Sequence, residues 1–143
     1  MPALELDNGT VLCQGAAIME YIRTTYNLKG DSALLACKGH SIAEYLNGDF
    51  VFKILSPAMF APEDQKAAKI MEVFTKVPEV FARLEKVMPE SKFLAGDSVS
   101  IYDILVAGFF TNIVLNESSP LFSAFAPFYT NAGPRLKEYV ANF

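Results

Sequence analysis

The chain has 143 residues, of which 52% are hydrophobic and 20% charged, and its net charge is −4. This composition predicts a folded globular protein and excludes a disordered one. Because the sequence has no basic cluster and no apolar run of membrane-spanning length, we expect no nucleic-acid partner and no membrane span.

Cysteine and histidine usage narrows the possible chemistry. Cys13 and Cys37 are too few for a disulfide scaffold and are predicted to be reduced, buried thiols. His40 is the only histidine, so metal sites and histidine triads lack ligands and we predict no metal site. Residues 1–5 lack the basic and apolar regions of a secretory signal, which favours a cytoplasmic location.

The first thirty residues predict a strand, a hairpin turn, a second strand and a helix. Residues 2–6 and 10–13 form two short apolar runs, separated by the turn-forming Asp7-Asn8-Gly9. From Gly15 the spacing of apolar residues becomes helical and continues to about residue 26. Asn27 and Gly30 then provide stop signals.

Residues 31–143 predict a succession of helices. Asp31 or Ser32 can cap the first, which ends at Ser56-Pro57. Its predicted core positions are Leu34, Leu35, Ile42, Tyr45, Leu46, Phe50 and Ile54.

A second helix starts at Pro62 and keeps its apolar spacing across Pro78, where we expect a kink. The predicted elements after it are a buried helix over residues 100–116, an apolar segment over 120–129 and a last helix from Pro134.

The start of the buried helix carries a capping box. Ser100 can accept a hydrogen bond from the Asp103 amide, and the Asp103 carboxylate can reach back to the Ser100 amide. As a cap alone, Asp103 should contribute about 0.5–2 kcal/mol to stability.

The stretch Gly96-Asp97-Ser98-Val99-Ser100-Ile101-Tyr102-Asp103 resembles the box on the buried sixth helix of glutathione S-transferases. Residues 77–86 are similar to that family's fifth helix, and Tyr26-Asn27-Leu28-Lys29-Gly30 leans toward its alpha, mu and sigma group. The resemblance implies a mostly α fold. A partial thioredoxin-like hairpin plus helix (1–28) would be followed by an all-helical C-terminal domain (31–143).

The N-terminal segment resembles the second half of the transferase's thioredoxin-like domain, which implies a glutathione site. Pro2 matches the family's cis-proline, and Met1 would pair its backbone with the cysteinyl part of glutathione. Gln14 and Gly15 match the pair that holds the γ-glutamyl carboxylate at a helix N-terminus. The alternative interpretation of Gln14-Gly15 is an ordinary strand-to-helix turn.

Gly15 departs from the family pattern, which usually has Ser or Thr at this position. The backbone amide remains, but the hydroxyl that would donate to the carboxylate is lost. Such a hydrogen bond contributes roughly 1.5–3 kcal/mol, which is about tenfold to a hundredfold in affinity.

The family resemblance implies conjugation of glutathione to hydrophobic electrophiles in a homodimer. The family's catalytic Tyr, Ser or Cys lies in a strand-helix-strand segment ahead of the matched residues, so no catalytic residue is assigned in this chain. The alternative is a non-catalytic structural or assembly subunit. Under both hypotheses we expect another polypeptide segment to cover residues 1–30, because residues 2–6 would otherwise be an open sheet edge. Phe122, Phe125, Phe128 and Tyr129 predict either a core stripe or an electrophile pocket.

Overall fold

The computed structural model describes residues 2–143, and Met1 lies outside the described residues. Strand β1 (Ala3–Glu5) pairs antiparallel with β2 (Val11–Cys13), with Leu4 opposite Leu12. The predicted turn forms between them: the Gly9 amide donates to the Leu6 carbonyl over 2.8 Å, and Gly9 has φ +80°. Helix α1 (Gly15–Thr25) follows directly.

Asn27, the first of the two predicted stop residues, lies at the end of α1, and Gly30 follows it in the linker to the next helix. Asn27 and Gly30 have positive φ values of 55° and 81°, and the Leu28 amide reaches back to the Arg23 carbonyl over 2.9 Å. This is the Schellman arrangement, which satisfies carbonyls at a helix end. The Leu28 carbonyl accepts from the Ile101 amide over 3.1 Å, which ties the N-terminal unit (residues 2–30) to the helices beyond.

One continuous helix follows, made of α2 (Ala33–Glu44), a π-helical stretch π1 (Tyr45–Leu55) and α3 (Ser56–Met59). Of the two candidate caps it uses Ser32, whose hydroxyl accepts from the Leu35 amide over 3.2 Å. Asp31 instead accepts from the Asp97 amide over 2.7 Å.

The predicted helix end at Ser56-Pro57 is wrong. The Ser56 amide donates to the Val51 carbonyl, five residues back, so the pairing is already π-helical when the chain reaches Pro57. Pro57, which has no amide hydrogen to donate, stands where the five-residue pairing of π1 gives way to the four-residue pairing of α3. The helix therefore continues until Phe60, whose amide donates to the Ser56 carbonyl.

The remaining elements are α4 (Glu63–Val87), α5 (Ile101–Phe109), the π-helical π2 (Phe110–Val114), α6 (Phe122–Thr130) and α7 (Pro134–Val140). Helix α4 runs through Pro78 without interruption. The core lies between these helices and centres on Leu46, Phe50, Val77, Leu84, Val106, Phe110, Val114, Phe125 and Leu136. The buried helix predicted over residues 100–116 is thus α5 with π2. None of the helices in residues 2–143 is long and apolar enough to cross a membrane.

Three burial predictions are wrong. Leu34, predicted to be in the core, is 67% exposed, and Cys37 is exposed as well. At about 100° per residue, Cys37 lies opposite the buried face of α2 formed by Gly39, Ile42 and Ala43, and Leu34, in the first turn, lies outside that face. Cys13 is exposed because only the middle residue of β2, Leu12, is partly covered.

Candidate functional site

Pro2, Gln14 and Gly15, the described residues of the predicted site, lie close to the point where β2 leads into α1. Gln14 has φ 76° and ψ 125°, a conformation that a side-chain-bearing residue rarely adopts. This backbone turns the chain so that Gly15 starts the helix beside Pro2. A Cβ atom placed on Gly15 would lie 4.0 Å from Pro2 Cγ, which is ordinary van der Waals contact. Residues thirteen positions apart are therefore neighbours here.

The start of α1 presents a positive electrostatic environment. Gln14 accepts the first helical hydrogen bond, from the Ile18 amide over 3.0 Å. The first turn carries no acidic residue. Backbone amides and the helix dipole together favour an anion at such a position.

The site is open on its outer side. Pro2 and Gln14 are exposed and Gly15 is half-buried. Met1, the fourth predicted residue, and the Met1–Pro2 peptide bond lie outside the described residues. The structure thus brings together the three described residues of the predicted set, at one edge of the N-terminal unit.

The capping box predicted at Ser100 and Asp103 is confirmed, and Asp103 does more than cap. Its carboxylate is fully buried and accepts from the Ser100 amide (2.8 Å), the Ser100 hydroxyl (2.5 Å) and the Leu94 amide (2.7 Å). The Tyr139 hydroxyl donates a fourth hydrogen bond over 3.0 Å. Burial, followed by the neighbouring carboxylate, raises the pKa of Tyr139 well above its usual range, so this hydroxyl keeps its proton.

Comparison with protein families matches residues 48–143, about two thirds of the chain, to "Glutathione S-transferase, C-terminal domain". The chain belongs to the glutathione S-transferase family. Among the curated proteins no match is found.

Solved glutathione S-transferases share this fold. The protein from Rhodospirillum rubrum is 19% identical with a TM-score of 0.72, and that from Pichia kudriavzevii is 25% identical with a TM-score of 0.59. The Ascaris lumbricoides enzyme is 22% identical with a TM-score of 0.61. In each comparison 99% of this chain is covered, but it spans only 64%, 67% and 67% of those chains respectively.

The aromatic segment near the C-terminus belongs mainly to the core of this transferase fold. Phe125 is 1% exposed and packs edge-on against Phe50 and Phe109, with ring centroids 6.3 and 6.0 Å away. Phe122, Phe128 and Tyr129 are half-buried. The core interpretation therefore holds for Phe125, which also forms part of the wall of a neighbouring cavity.

Two contacts of the transferase fold were not predicted from the sequence. Tyr139 donates to Asp103 across 36 residues, and Glu85 accepts from the amides of Arg135 (3.2 Å) and Leu136 (2.9 Å) across about 50. The sequence predicted that α7 starts at Pro134, but not that the Glu85 carboxylate caps it. Neither partner stands at a local sequence spacing that would have revealed it.

Proposed function

We propose that this chain binds glutathione at Met1, Pro2, Gln14 and Gly15 and contributes to its conjugation with hydrophobic electrophiles. The observation that carries the proposal is the left-handed backbone of Gln14 beside Pro2 at the start of α1. Strained backbone of this kind persists only where the surrounding structure enforces it, and it is concentrated at functional sites. Because the chain belongs to the glutathione S-transferase family, the ligand of this proposal is glutathione.

Each residue has a definite role in this proposal. The Met1 backbone pairs with the cysteinyl part of glutathione, next to Pro2. The amides at Gly15 and in the first turn of α1 hold the γ-glutamyl carboxylate through hydrogen bonds and the helix dipole. The residue that activates the thiol comes from a strand-helix-strand segment outside this chain, and the electrophile is apolar. We further propose a cytoplasmic homodimer, divided into a thioredoxin-like part (1–28) and a helical domain (31–143).

A second function is a non-catalytic structural or assembly subunit of a larger complex. The observation that favours it is Gly15, which has no hydroxyl for the carboxylate although the space beside Pro2 would admit one. Loss of that donor weakens glutathione binding without disturbing the fold.

Calorimetry with glutathione and an assay with a chlorinated aromatic electrophile test the proposal. We expect weak glutathione binding by the isolated chain and turnover close to background, because no thiol activator is assigned in it. Robust turnover by the isolated chain would contradict the placing of the thiol activator outside it, and the absence of glutathione binding would contradict the proposed site. The coding sequence upstream separates the two functions: a strand-helix-strand with Tyr, Ser or Cys near the end of its first strand supports the transferase, and its absence supports the subunit.

A further inference from the structure

A cavity of about 350 Å³ lies between the second half of α4, the end of α6 and the loop that leads into α7. We call it the carboxylate cavity, because Glu85 is the only charged residue among the described residues that line it. Cavities of about 300–1,000 Å³ with mostly apolar walls are typical of small-molecule sites. The walls include Phe81, Ala82 and Glu85 from α4, Phe128 from α6, and Asn131 and Gly133 from the loop.

The carboxylate cavity is separate from the proposed glutathione site. None of residues 2–30 lines it, and it shares no lining residue with the cavity beside Phe125. A ligand in the carboxylate cavity therefore does not contact Pro2, Gln14 or Gly15.

The Glu85 carboxylate keeps acceptor capacity after it has capped α7. Its Oε1 atom accepts from the Arg135 amide over 3.2 Å, and its Oε2 atom accepts from the Leu136 amide over 2.9 Å. An ionised carboxylate has about four lone-pair sites, so about two remain. Both donors are uncharged amides, and the ion pairs of residues 2–143 all join other side chains. A half-buried carboxylate without a cationic partner favours the binding of a cation.

Asn131 adds a second acceptor to the wall. Its Nδ2 atom donates to the Pro127 carbonyl over 2.8 Å at the end of α6, and the other polar atom of this amide, Oδ1, is an acceptor. The polar side chains of Glu85 and Asn131 thus both offer oxygen acceptors, while the other lining residues are apolar. An ammonium group matches such a wall because it has only donors, whereas an anionic ligand would be repelled by Glu85.

We propose that the carboxylate cavity binds a small primary amine as its ammonium cation. The ammonium group donates to Glu85, and the apolar body of the amine packs against Phe81, Ala82 and Phe128. The phenyl rings add to the attraction, because an aromatic ring stabilises a cation held near its face. A neutral ligand of the same shape buries the same surface but leaves the carboxylate without a cation. The proposal is independent of glutathione binding.

Titration of the isotope-labelled protein with phenethylamine and with phenethyl alcohol, followed by the NMR shifts of backbone amides, tests the proposal. The two ligands share their aromatic body and differ in charge. Glu85→Gln removes the negative charge at nearly constant size, and Ala82→Leu fills the cavity. The matched controls are Glu79→Gln and Ala67→Leu, because both residues are exposed on α4 and do not line the cavity.

We expect saturable amine-dependent shifts in residues 78–85 and 128–133, and about tenfold weaker binding of the alcohol. That factor is the lower end of what a hydrogen bond to a charged group contributes. Glu85→Gln should weaken binding of the amine by the same factor and leave binding of the alcohol unchanged, which separates loss of charge from collapse of the cavity. Ala82→Leu should weaken binding of both ligands, whereas both control variants should bind them as the parent protein does.

Several results would overturn the proposal. Equal affinities for amine and alcohol in the parent protein, a comparison that needs no variant, would show that no cation is recognised. Absence of saturable shifts with either ligand would show that the cavity takes neither. Equal weakening of both ligands by Glu85→Gln would restrict this residue to the capping of α7. Amine-dependent shifts confined to the exposed Glu90 and Glu138 would show pairing with surface carboxylates only.

Discussion

The residue at position 15 determines whether the proposed glutathione site has a side-chain hydroxyl for the γ-glutamyl carboxylate. A Cβ on this residue would lie 4.0 Å from Pro2 Cγ, which is ordinary contact, and Gly15 does not have the positive φ that would strain a side chain. We therefore expect Gly15→Ser to fold normally and to bind glutathione about tenfold to a hundredfold more tightly, through one hydrogen bond to a charged group. Calorimetric titration with glutathione measures the change.

The matched control is Gly108→Ser on α5. A Cβ there also has space, with Asn112 Nδ2 as its nearest neighbour at 3.9 Å, and Gly108 lies at the end of α5 away from Ile101, the residue that bonds to the N-terminal unit. Glutathione affinity should be the same as in the parent protein. If Gly15→Ser binds no better than this control, the γ-glutamyl carboxylate does not sit at the start of α1.

Asp103 is the second residue with a measurable consequence. As a cap alone it would contribute about 0.5–2 kcal/mol. The structure predicts more, because Asp103→Ala leaves the buried Leu94 amide and the Tyr139 hydroxyl without their acceptor in addition to removing the cap. We expect a loss of about 3–5 kcal/mol in the free energy of unfolding, measured with urea.

Tyr139→Phe is the graded comparison for Asp103→Ala. It removes only one of the four hydrogen bonds to the carboxylate, so the expected loss is about 1 kcal/mol. Equal losses in the two variants would mean that the carboxylate contributes nothing beyond its contact with Tyr139.

At the scale of elements, the start of α7 depends on one distant side chain. Both Glu85 carboxylate oxygens cap this helix, and a Cβ on Gly133 would overlap that carboxylate. Gly133→Ala should therefore displace Glu85 and cost about 0.5–2 kcal/mol, the usual range for a lost cap. In a Glu85→Ala background the same substitution should be nearly neutral. Urea unfolding of the double-mutant cycle gives the coupling, and additive effects would remove Glu85 from the explanation.

The elements also show what local sequence can predict. The hairpin, the ends of α1 and the capping box of α5 follow from residues within a few positions of one another, and all were predicted. The continuation of the helix Ala33–Met59 past Ser56-Pro57 was not predicted, because it depends on the five-residue pairing of π1. Burial of Leu34 and Cys37 was predicted wrongly, because neither apolar spacing nor the usual burial of cysteine reveals which face of α2 its neighbours cover.

The candidate functional features also differ in how far they could be predicted from the sequence. Pro2, Gln14 and Gly15 could be named because they match a family pattern, and the structure places them together. The cavity of about 410 Å³ whose wall includes Phe125 could not be predicted, since its lining residues come from three separated segments, 55–59, 66–74 and 120–125. A cavity whose walls come from distant parts of the chain has no signature in the local sequence.

At the scale of the whole molecule, the N-terminal unit lacks a core of its own. None of residues 2–30 is buried, β1 pairs only with β2 among the described residues, and Val11 is 55% exposed. A two-stranded hairpin with one helix is too small to be stable alone in water, and an open strand edge invites pairing. We expect another polypeptide segment, from a partner subunit or from the strand-helix-strand proposed above, to cover this unit.

Hydrogen exchange read by mass spectrometry tests this coverage. In the isolated chain the amides of β1 and β2 should exchange within the fastest class, while those of α4 and α5 are protected by their packing. Addition of the covering polypeptide should slow β1 and β2 selectively and leave α4 unchanged, which makes α4 the internal control. Slow exchange of β1 in a protein that sediments as a bare monomer would show that the hairpin is stable uncovered and would refute the expectation.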